Sequence, residues 1–249
     1  MQYGINPLSI VAVRKEPCDT SEMVTQLLYG EVFKIIDCRK KWVKIRNAFD
    51  NYEGWIDAKQ FKEISKIPYD NLSQWPQNIS NQIFDSVIDL NNQLIMIPIG
   101  SNISGCNILK HRYEGEIKQL SFDKKQIIPT AFNFLNSPYL WGGKNPLGID
   151  CSGFTQLVYK LNGFKLLRDA SQQASQGDSL SFIEESEPGD LAFFDNEEGD
   201  IIHVGIIMED NYIIHAHGQV RIDRIDHSGI YNVDKKTHTH KLRVIKKIV

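Results

Sequence analysis

The chain has 249 residues, of which 41% are hydrophobic and 24% charged, with a formal net charge of −3. This composition is that of a globular protein with enough residues for two or three domains. The net charge is negative and lysine and arginine form no long run, so a nucleic-acid-binding surface is not expected. No window approaches 18 uncharged apolar residues, so no membrane span is predicted either.

The first residues, MQYGINPLSIVAVRKEP, lack the basic start, apolar run and small-residue cleavage site of a secretory signal. We therefore expect a cytoplasmic protein, or an exported one if a signal has been removed. Four cysteines are scattered without a CxxC pair, and a cytoplasmic chain would keep them reduced: Cys18, Cys38, Cys106 and Cys151.

Residues 1–66 alternate in the manner of short strands, with YGE and DNYEG as turns between them. This pattern predicts a small antiparallel barrel. The stretches LLYGEVFKI, WVKIR and YEGWID resemble a bacterial SH3-like domain. Residues 67–120 begin with a linker, IPYDNLSQWPQN, and continue with the short strands QIFDSVIDL, LIMIPIGSNIS and RYEGEIKQL. Here IPIGS, followed by an aromatic-glycine segment, resembles a second, divergent SH3-like domain.

Residues 121–249 place helices before strands, which predicts an α+β domain. The segment KKQIIPTAFNFLNSPYL has helical spacing and is expected to stop at Pro138. A second helix should follow Cys151 and end before Gly163. Its apolar stripe consists of Phe154, Leu157, Val158 and Leu161. The strands DLAFF, HVGIIM, YIIHAH and VRIDRI come next.

Cys151 stands where the first turn of that helix should begin, with Asp150 as the candidate N-cap. A thiol attacks a carbonyl carbon as the thiolate, and a free cysteine is mostly protonated at neutral pH. The positive end of a helix and a neighbouring imidazolium both lower a thiol pKa. We therefore expect a nucleophilic cysteine with a lowered pKa.

Two histidines are candidates for the partners of this thiol. His203 opens the strand HVGIIM and His215 ends the strand YIIHAH, with the turn EDN between them. An antiparallel hairpin brings the start of one strand beside the end of the other. His203 would then act as the base and His215 would orient it. His217, two residues on, lies on the same strand face and is a rival for the orienting role.

The run YLWGGKNPLGIDCSGFTQLVY, followed by EPGDLAFFD, HVGIIM and YIIHAHG, resembles the NlpC-type cell-wall cysteine peptidases. The subgroup that it resembles is the gamma-D-glutamyl-L-diamino acid endopeptidases with N-terminal SH3-like domains. The resemblance implies a papain-like domain, with helices packed on an antiparallel sheet, over residues 121–249. It also implies Cys151 as nucleophile, His203 as base, His215 as orienter, and an oxyanion held by the Cys151 backbone N–H and Tyr139.

The resemblance further implies substrate-binding positions. Ser152 and Ser171 would hydrogen-bond the D-Glu carboxylate, Asp150 would meet the L-Ala amine, and Arg168 and Asp169 lie in the same region. In the SH3-like domain, Tyr52 and Glu31 are the candidates that close the cleft on a free N-terminus. A buried carboxylate facing an ammonium group favours a free amine over an extended peptide.

The implied function is hydrolysis of the gamma-D-Glu to diamino acid bond in peptidoglycan stem peptides with a free N-terminal L-Ala, in murein peptide recycling. The diamino acid, L-Lys or meso-diaminopimelate, stays open. The alternatives are a non-catalytic peptidoglycan-binding protein and an amidase or acyltransferase on the same fold. We expect a monomer whose partners are murein stem peptides, with no cofactor.

The remaining histidines offer a metal alternative. A zinc site from His203, His215 and His217 lacks an accompanying motif such as HExxH, so no metal is expected. His238 and His240, in KKTHTH, are expected to be exposed strand or tail residues.

Overall fold

The computed structural model describes residues 2–117, residue 120 and residues 122–249. The chain forms two compact units. The N-terminal unit consists of residues 1–120 and 141–146, and the C-terminal unit consists of residues 121–140 and 147–249.

The N-terminal unit contains a seven-stranded antiparallel sheet in the order β3-β2-β6-β5-β4-β1-β7. Its strands are β1 (Gln2–Ile5), β2 (Ile10–Arg14), β3 (Met23–Leu28), β4 (Val32–Arg39), β5 (Trp42–Asn47), β6 (Glu53–Asp57) and β7 (Lys62–Ile64). In β2, successive side chains point to opposite faces of the sheet, so alternate residues of IVAVR are buried. Val11 and Val13 join Leu27, Phe33 and Ile56 in one hydrophobic core. The predicted small barrel is confirmed.

The rest of this unit adds a three-stranded antiparallel sheet in the order β10-β8-β9. Its elements are α1 (Lys66–Leu72), β8 (Phe84–Ile88), β9 (Leu94–Pro98), α2 (Cys106–Leu109), β10 (Arg112–Tyr113) and, from the later segment, β11 (Lys144–Asn145). Ile5 of β1 shares a second core with Val87 and Ile97 of the small sheet. Residues on both sides of position 66 therefore share a core, and the domain division at 66 stays a prediction.

Two sequence predictions fall partly on residues that the structure does not describe. The predicted strand RYEGEIKQL contains β10, but its Lys118 and Gln119 lie outside the described residues. Ser121, where the third domain was predicted to begin, lies outside them as well.

The C-terminal unit packs helices against a closed antiparallel sheet. Its elements are α3 (Ile127–Phe132), β12 (Gly148–Ile149), α4 (Cys151–Leu161), α5 (Ala170–Gln173), β13 (Asp178–Leu180), β14 (Leu191–Asp195), β15 (Ile201–Ile207), β16 (Tyr212–His217), β17 (Gln219–Asp226), β18 (Gly229–Asn232) and β19 (Thr237–Lys247). The strand order is β13-β19-β14-β15-β16-β17-β18, and β18 also pairs with β19. The strands β14 to β19 thus close into a barrel, whose apolar cluster contains Phe194, Ile213 and Ile225.

The helices of this unit match the predicted pattern with one difference. α4 packs against β15 and β16 with Phe154, Leu157 and Val158 fully buried, and Gly163 follows it in the left-handed conformation. The predicted extension of α3 to Pro138 was wrong, because α3 ends at Phe132. Asn136 there adopts a left-handed φ of 68° and donates its N–H to Val220 O, which takes the chain away from the helix path.

Candidate active site

Cys151 is the first residue of α4, and Asp150 caps this helix as predicted. Asp150 is in the extended conformation, and its Oδ1 accepts the Gly153 N–H at 2.7 Å. The free backbone N–H groups of the first turn and the positive end of the helix dipole therefore lie at the same end of the helix as the thiol.

The thiol itself is only 6% exposed. Burial, and then the Asp150 carboxylate, raise the pKa of Cys151 to about 12, although the backbone N–H groups of Val204 and Ser152 and the Arg168 guanidinium oppose this rise. The expectation of a lowered thiol pKa is therefore wrong for the substrate-free site, because loss of water outweighs the helix end. Val204 follows His203 in β15, so the thiol lies beside the strand that carries the predicted base. Among the described residues, no hydrogen bond joins the thiol to the His203 ring.

The predicted hairpin is confirmed: β15 and β16 are antiparallel, with Gly205 opposite His215. His203 and Gly205 lie on the same face of β15, so His203 and His215 point to the same side of the barrel. Their rings are joined through His203 Nε2 and His215 Nδ1 at 2.9 Å. A Cβ on Gly205 would lie 2.9 Å from His215 Cβ, so only glycine leaves room for this arrangement.

The chain of hydrogen bonds continues to a carboxylate that the sequence analysis missed. His215 Nε2 lies 3.1 Å from Asp223 Oδ2, and Asp223 is fully buried. Arg221 donates to both oxygens of Asp223, through Nε at 2.7 Å and Nη2 at 2.9 Å. Burial alone would raise the pKa of Asp223, but the hydrogen bonds from His215 and Arg221 hold it at about 2. The sequence does offer one signal for Asp223: it is an acid on the same face of β17 as the buried Ile225.

This chain fixes which nitrogen of each ring carries a proton. An ionised Asp223 only accepts hydrogen bonds, so His215 Nε2–H is the donor. Burial lowers the pKa of His215, so the ring is neutral at neutral pH and its Nδ1 accepts from His203 Nε2–H. Burial and the neighbouring histidines also hold the pKa of His203 well below its usual value, so His203 is neutral as well. Its Nδ1 then carries a lone pair and can take a proton.

The N–N hydrogen bond is also relevant to the zinc alternative. It uses one nitrogen of each ring, whereas zinc ligands direct their lone pairs at a common ion. Across the part of the chain that the structure describes, no group of three or more His, Cys, Asp or Glu is arranged to hold a metal ion.

Tyr139, the predicted oxyanion donor, lies near the nucleophile in the C-terminal unit. It is half-buried, and its backbone N–H donates to Gly218 O at 2.9 Å. Burial, followed by the charges of Cys151 and Asp150, raises its pKa well above the usual value. The phenol therefore keeps its proton and can donate a hydrogen bond.

Three of the predicted substrate-binding residues form one buried network. Arg168 donates to Asp150 through Nη1 at 3.0 Å and Nη2 at 2.6 Å, and to Ser152 Oγ at 3.0 Å. The two charged side chains are 1% and 8% exposed. A substrate amine that approached Asp150 would therefore share its carboxylate with Arg168.

The other two predicted residues of this region lie at the start of α5. Asp169 is the N-cap, and its backbone N–H donates to Gln172 Oε1 at 3.1 Å. Ser171 lies in the first turn and is exposed.

The two predicted SH3-like residues lie in the N-terminal unit. Glu31 is buried, and both its carboxylate oxygens lie 3.2 Å from Lys144 Nζ. Its Oε2 also accepts the Leu28 N–H at 3.0 Å. Tyr52 is half-buried, and its backbone N–H donates to Asp50 Oδ1 at 3.0 Å. An amine at Glu31 would share the carboxylate with Lys144.

The histidines outside the predicted pair behave differently from one another. His217 is half-buried, with its ring centre 6.2 Å from that of His215. His238 is exposed as expected. The expectation for His240 was wrong, because its ring is partly buried and stacks on His203 with centroids 4.2 Å apart.

Comparison with known proteins agrees with this geometry. Residues 136–241 match the NlpC/P60 family, and residues 13–61 match the bacterial dipeptidyl-peptidase SH3 domain. The gamma-D-glutamyl-L-lysine dipeptidyl-peptidase of Bacillus subtilis is 27% identical over 80% of this chain and 74% of its own length. Dipeptidyl-peptidase 6 of Lysinibacillus sphaericus is 26% identical over 89% of this chain and 92% of its own. A crystal structure of an NlpC/P60 family protein from Bacillus cereus superimposes with a TM-score of 0.78, covering 99% of each chain at 17% identity.

A thiol at a helix end beside a histidine-bearing barrel defines a papain-like cysteine peptidase. The fold class predicted from the sequence, an α+β peptidase domain preceded by an SH3-like barrel, is confirmed. The chain thus contains an NlpC/P60 domain at residues 136–241 and a bacterial dipeptidyl-peptidase SH3 domain at residues 13–61.

Proposed function

We propose that this peptidase hydrolyses the amide between the gamma-carboxyl of D-Glu and a diamino acid, L-Lys or meso-diaminopimelate, in peptidoglycan stem peptides with a free N-terminal L-Ala. The observation that carries the reaction type is the hydrogen-bonded series His203–His215–Asp223 on the barrel beside Cys151. The dipeptidyl-peptidase names of the relatives support the substrate class.

The reaction follows from the protonation states. The Cys151 thiol gives its proton to His203 Nδ1 as sulfur attacks the gamma-carbonyl carbon. Tyr139 and the Cys151 backbone N–H hydrogen-bond the oxyanion, and such a donor contributes about 3–4 kcal/mol to the transition state. His203 returns the proton to the leaving amine, and the D-Glu acyl group stays on sulfur as a thioester. Water, deprotonated by His203, then releases L-Ala-gamma-D-Glu and the free thiol.

The substrate contacts belong to the same proposal. Ser152, and Ser171 at the α5 terminus, would hydrogen-bond the D-Glu carboxylate, with Arg168 supplying positive charge behind Ser152. Asp150 is the candidate in the C-terminal unit for a contact that favours a free amine, and Asp169 lies in the same region. In the N-terminal unit, Glu31 and Tyr52 stay predictions for that role.

The proposed place of the reaction is murein peptide recycling in the cytoplasm. The L-Ala nitrogen of an intact stem peptide is acylated by the glycan, so a free L-Ala amine exists only after another enzyme has detached the peptide. A preference for the free amine therefore suits a recycling enzyme that acts on detached peptides. Fractionation of cells that express the full-length protein would test the location.

The substrate proposal is tested with four peptides. L-Ala-gamma-D-Glu-L-Lys and its meso-diaminopimelate analogue are each supplied with the L-Ala amine free or acetylated, and the released dipeptide is measured by mass spectrometry. We expect at least one free peptide to be cleaved. Its acetylated form should react at least about tenfold more slowly, because the acetylated nitrogen carries no positive charge for a carboxylate to bind. Equal rates for free and acetylated peptides would remove the free-amine requirement, and no release from either free peptide would reject the substrate class.

A further inference from the structure

His240 on β19 contacts the predicted base through the face of its ring. The His240 and His203 rings are stacked, with centroids 4.2 Å apart and planes inclined by 26°. The edge of Phe194 packs near both rings, at 5.8 Å from His203 and 5.9 Å from His240. His203 is therefore held by a hydrogen bond at Nε2 and by a stacked ring on one face.

His240 is itself fixed by its surroundings. Thr239 Oγ1 lies 2.9 Å from His240 Nδ1, within hydrogen-bonding distance. The His217 ring stands perpendicular to it with centroids 4.9 Å apart, and the His215 ring is 5.7 Å away. The titratable rings in contact with His203 are thus His215 from β16 and His240 from β19, and His217 contacts both of these rings.

The charge state of His240 suits a stacking partner. Burial, and then the neighbouring His215 and His217, lower the pKa of His240 to about 3, so the ring is neutral at neutral pH. A neutral ring adds no like charge beside His203.

We propose that His240 is a positioning residue for the base: its ring fixes the plane of the His203 imidazole, so that the ring is held in place to receive the proton of Cys151. This inference rests on the cysteine-peptidase mechanism proposed above, but not on the identity of the peptide substrate.

The test separates an aromatic face from mere bulk. His240→Phe keeps a flat ring in place, whereas His240→Leu fills space without one. His238→Leu is the matched control, since His238 lies on the same strand but pairs with Asp226 and is 43% exposed. Alkylation of Cys151 by iodoacetamide at pH 7, quantified on the Cys151 peptide by mass spectrometry, reports the reactivity of the thiol without any substrate. Circular dichroism verifies folding, and His240→Gln replaces the leucine variant if that variant does not fold.

We expect alkylation of Cys151 in His240→Leu to be about tenfold slower than in the unmodified protein, because a displaced base takes the thiol proton less readily. His240→Phe should stay within about threefold, and His238→Leu should be unchanged. On a cleaved peptide, kcat should fall in the leucine variant with KM unaltered. Unaltered alkylation in His240→Leu, equal losses in the leucine and phenylalanine variants, or an equal loss in His238→Leu would each overturn the proposal. Failure to cleave any test peptide would instead reject the substrate proposal. The positioning role of His240 would then be decided by the alkylation rates alone.

Discussion

Burial sets the protonation states of the two residues that start the reaction. It raises the pKa of Cys151 to about 12 and lowers that of His203, so a neutral thiol lies beside a strand that carries a neutral imidazole. In the proposed mechanism the thiolate therefore forms as the carbonyl is attacked, with the proton passing to His203. The low polarity that opposes a resting thiolate also strengthens the backbone N–H and helix-end interactions that act on it during the reaction.

Asp223 determines which nitrogen of His203 is free, and its replacement by asparagine should reverse that choice. In Asp223→Asn, the amide oxygen would take the Oδ1 position, where it accepts from Arg221 Nη2 and the Val233 N–H. The amide NH₂ would take the Oδ2 position, lose the bond from Arg221 Nε and donate to His215 Nε2. His215 would then carry its proton on Nδ1 and His203 on its own Nδ1, which leaves the base without a lone pair toward the thiol. We expect kcat to fall about 10²–10⁴-fold with KM little changed, measured by dipeptide release at pH 7.

Asp226→Asn is the matched control, because Asp226 lies on the same strand but pairs with the exposed His238. It should keep normal kcat. Normal turnover in Asp223→Asn would show that the carboxylate does not set the tautomer of the two histidines.

Among the single elements, the segment between Tyr139 and Cys151 contributes Lys144 to a buried ion pair with Glu31. Lys144 is 1% exposed, and its Nζ lies 3.2 Å from both carboxylate oxygens of Glu31. The Lys144 backbone N–H also donates to Gln26 Oε1 at 2.8 Å. Gly142 adopts a φ of 74°, and a Cβ there would lie 2.2 Å from Met23 O. Gly142 thus permits a close approach of this segment to β3.

Removing one charge of this pair should cost more than removing both. Lys144→Met leaves the Glu31 carboxylate buried without its cation, so we expect a loss of about 3–5 kcal/mol in the free energy of unfolding. The double variant Glu31→Gln with Lys144→Met should recover most of that loss. Urea unfolding followed by tryptophan fluorescence measures both values.

Lys66→Met removes one side of the exposed Lys66–Asp70 pair, and it should cost less than about 1 kcal/mol. If the Glu31 and Lys144 substitutions simply add, the two side chains do not act as a pair.

What the sequence could predict depends on the range of the contacts. The α4 stripe, the Asp150 cap and the β15–β16 hairpin are local patterns, and each was predicted correctly. Asp223 was missed although β17 pairs directly with β16, because the strand pattern does not mark this acid as a partner of His215. His240 was missed because β19 reaches the site through its pairing with β14, which is distant in sequence. The prediction of a lowered thiol pKa was wrong for a related reason. The spacing of apolar residues predicts that Cys151 begins a helix, but not how completely the surrounding chain buries it.

In the molecule as a whole, the chain crosses from one unit to the other and back between Tyr139 and Cys151. Residues 141–146 belong to the N-terminal unit, whereas residues 121–140 and 147–249 form the C-terminal unit. The units are thus covalently linked at three points along the chain. Within the described residues, no helix is long and apolar enough to cross a membrane.

If the Cys151 sulfur opens the gamma-linked amide, turnover must depend on that sulfur, and this is measured by comparing the protein with and without it. The unmodified protein, Cys151→Ala and the control Cys106→Ala are each incubated with L-Ala-gamma-D-Glu-L-Lys, and L-Ala-gamma-D-Glu is followed over time by mass spectrometry. We predict release by the unmodified protein and by Cys106→Ala, and a loss of about 10⁴-fold or more in Cys151→Ala. Release by Cys151→Ala at the rate of the unmodified protein would contradict the account.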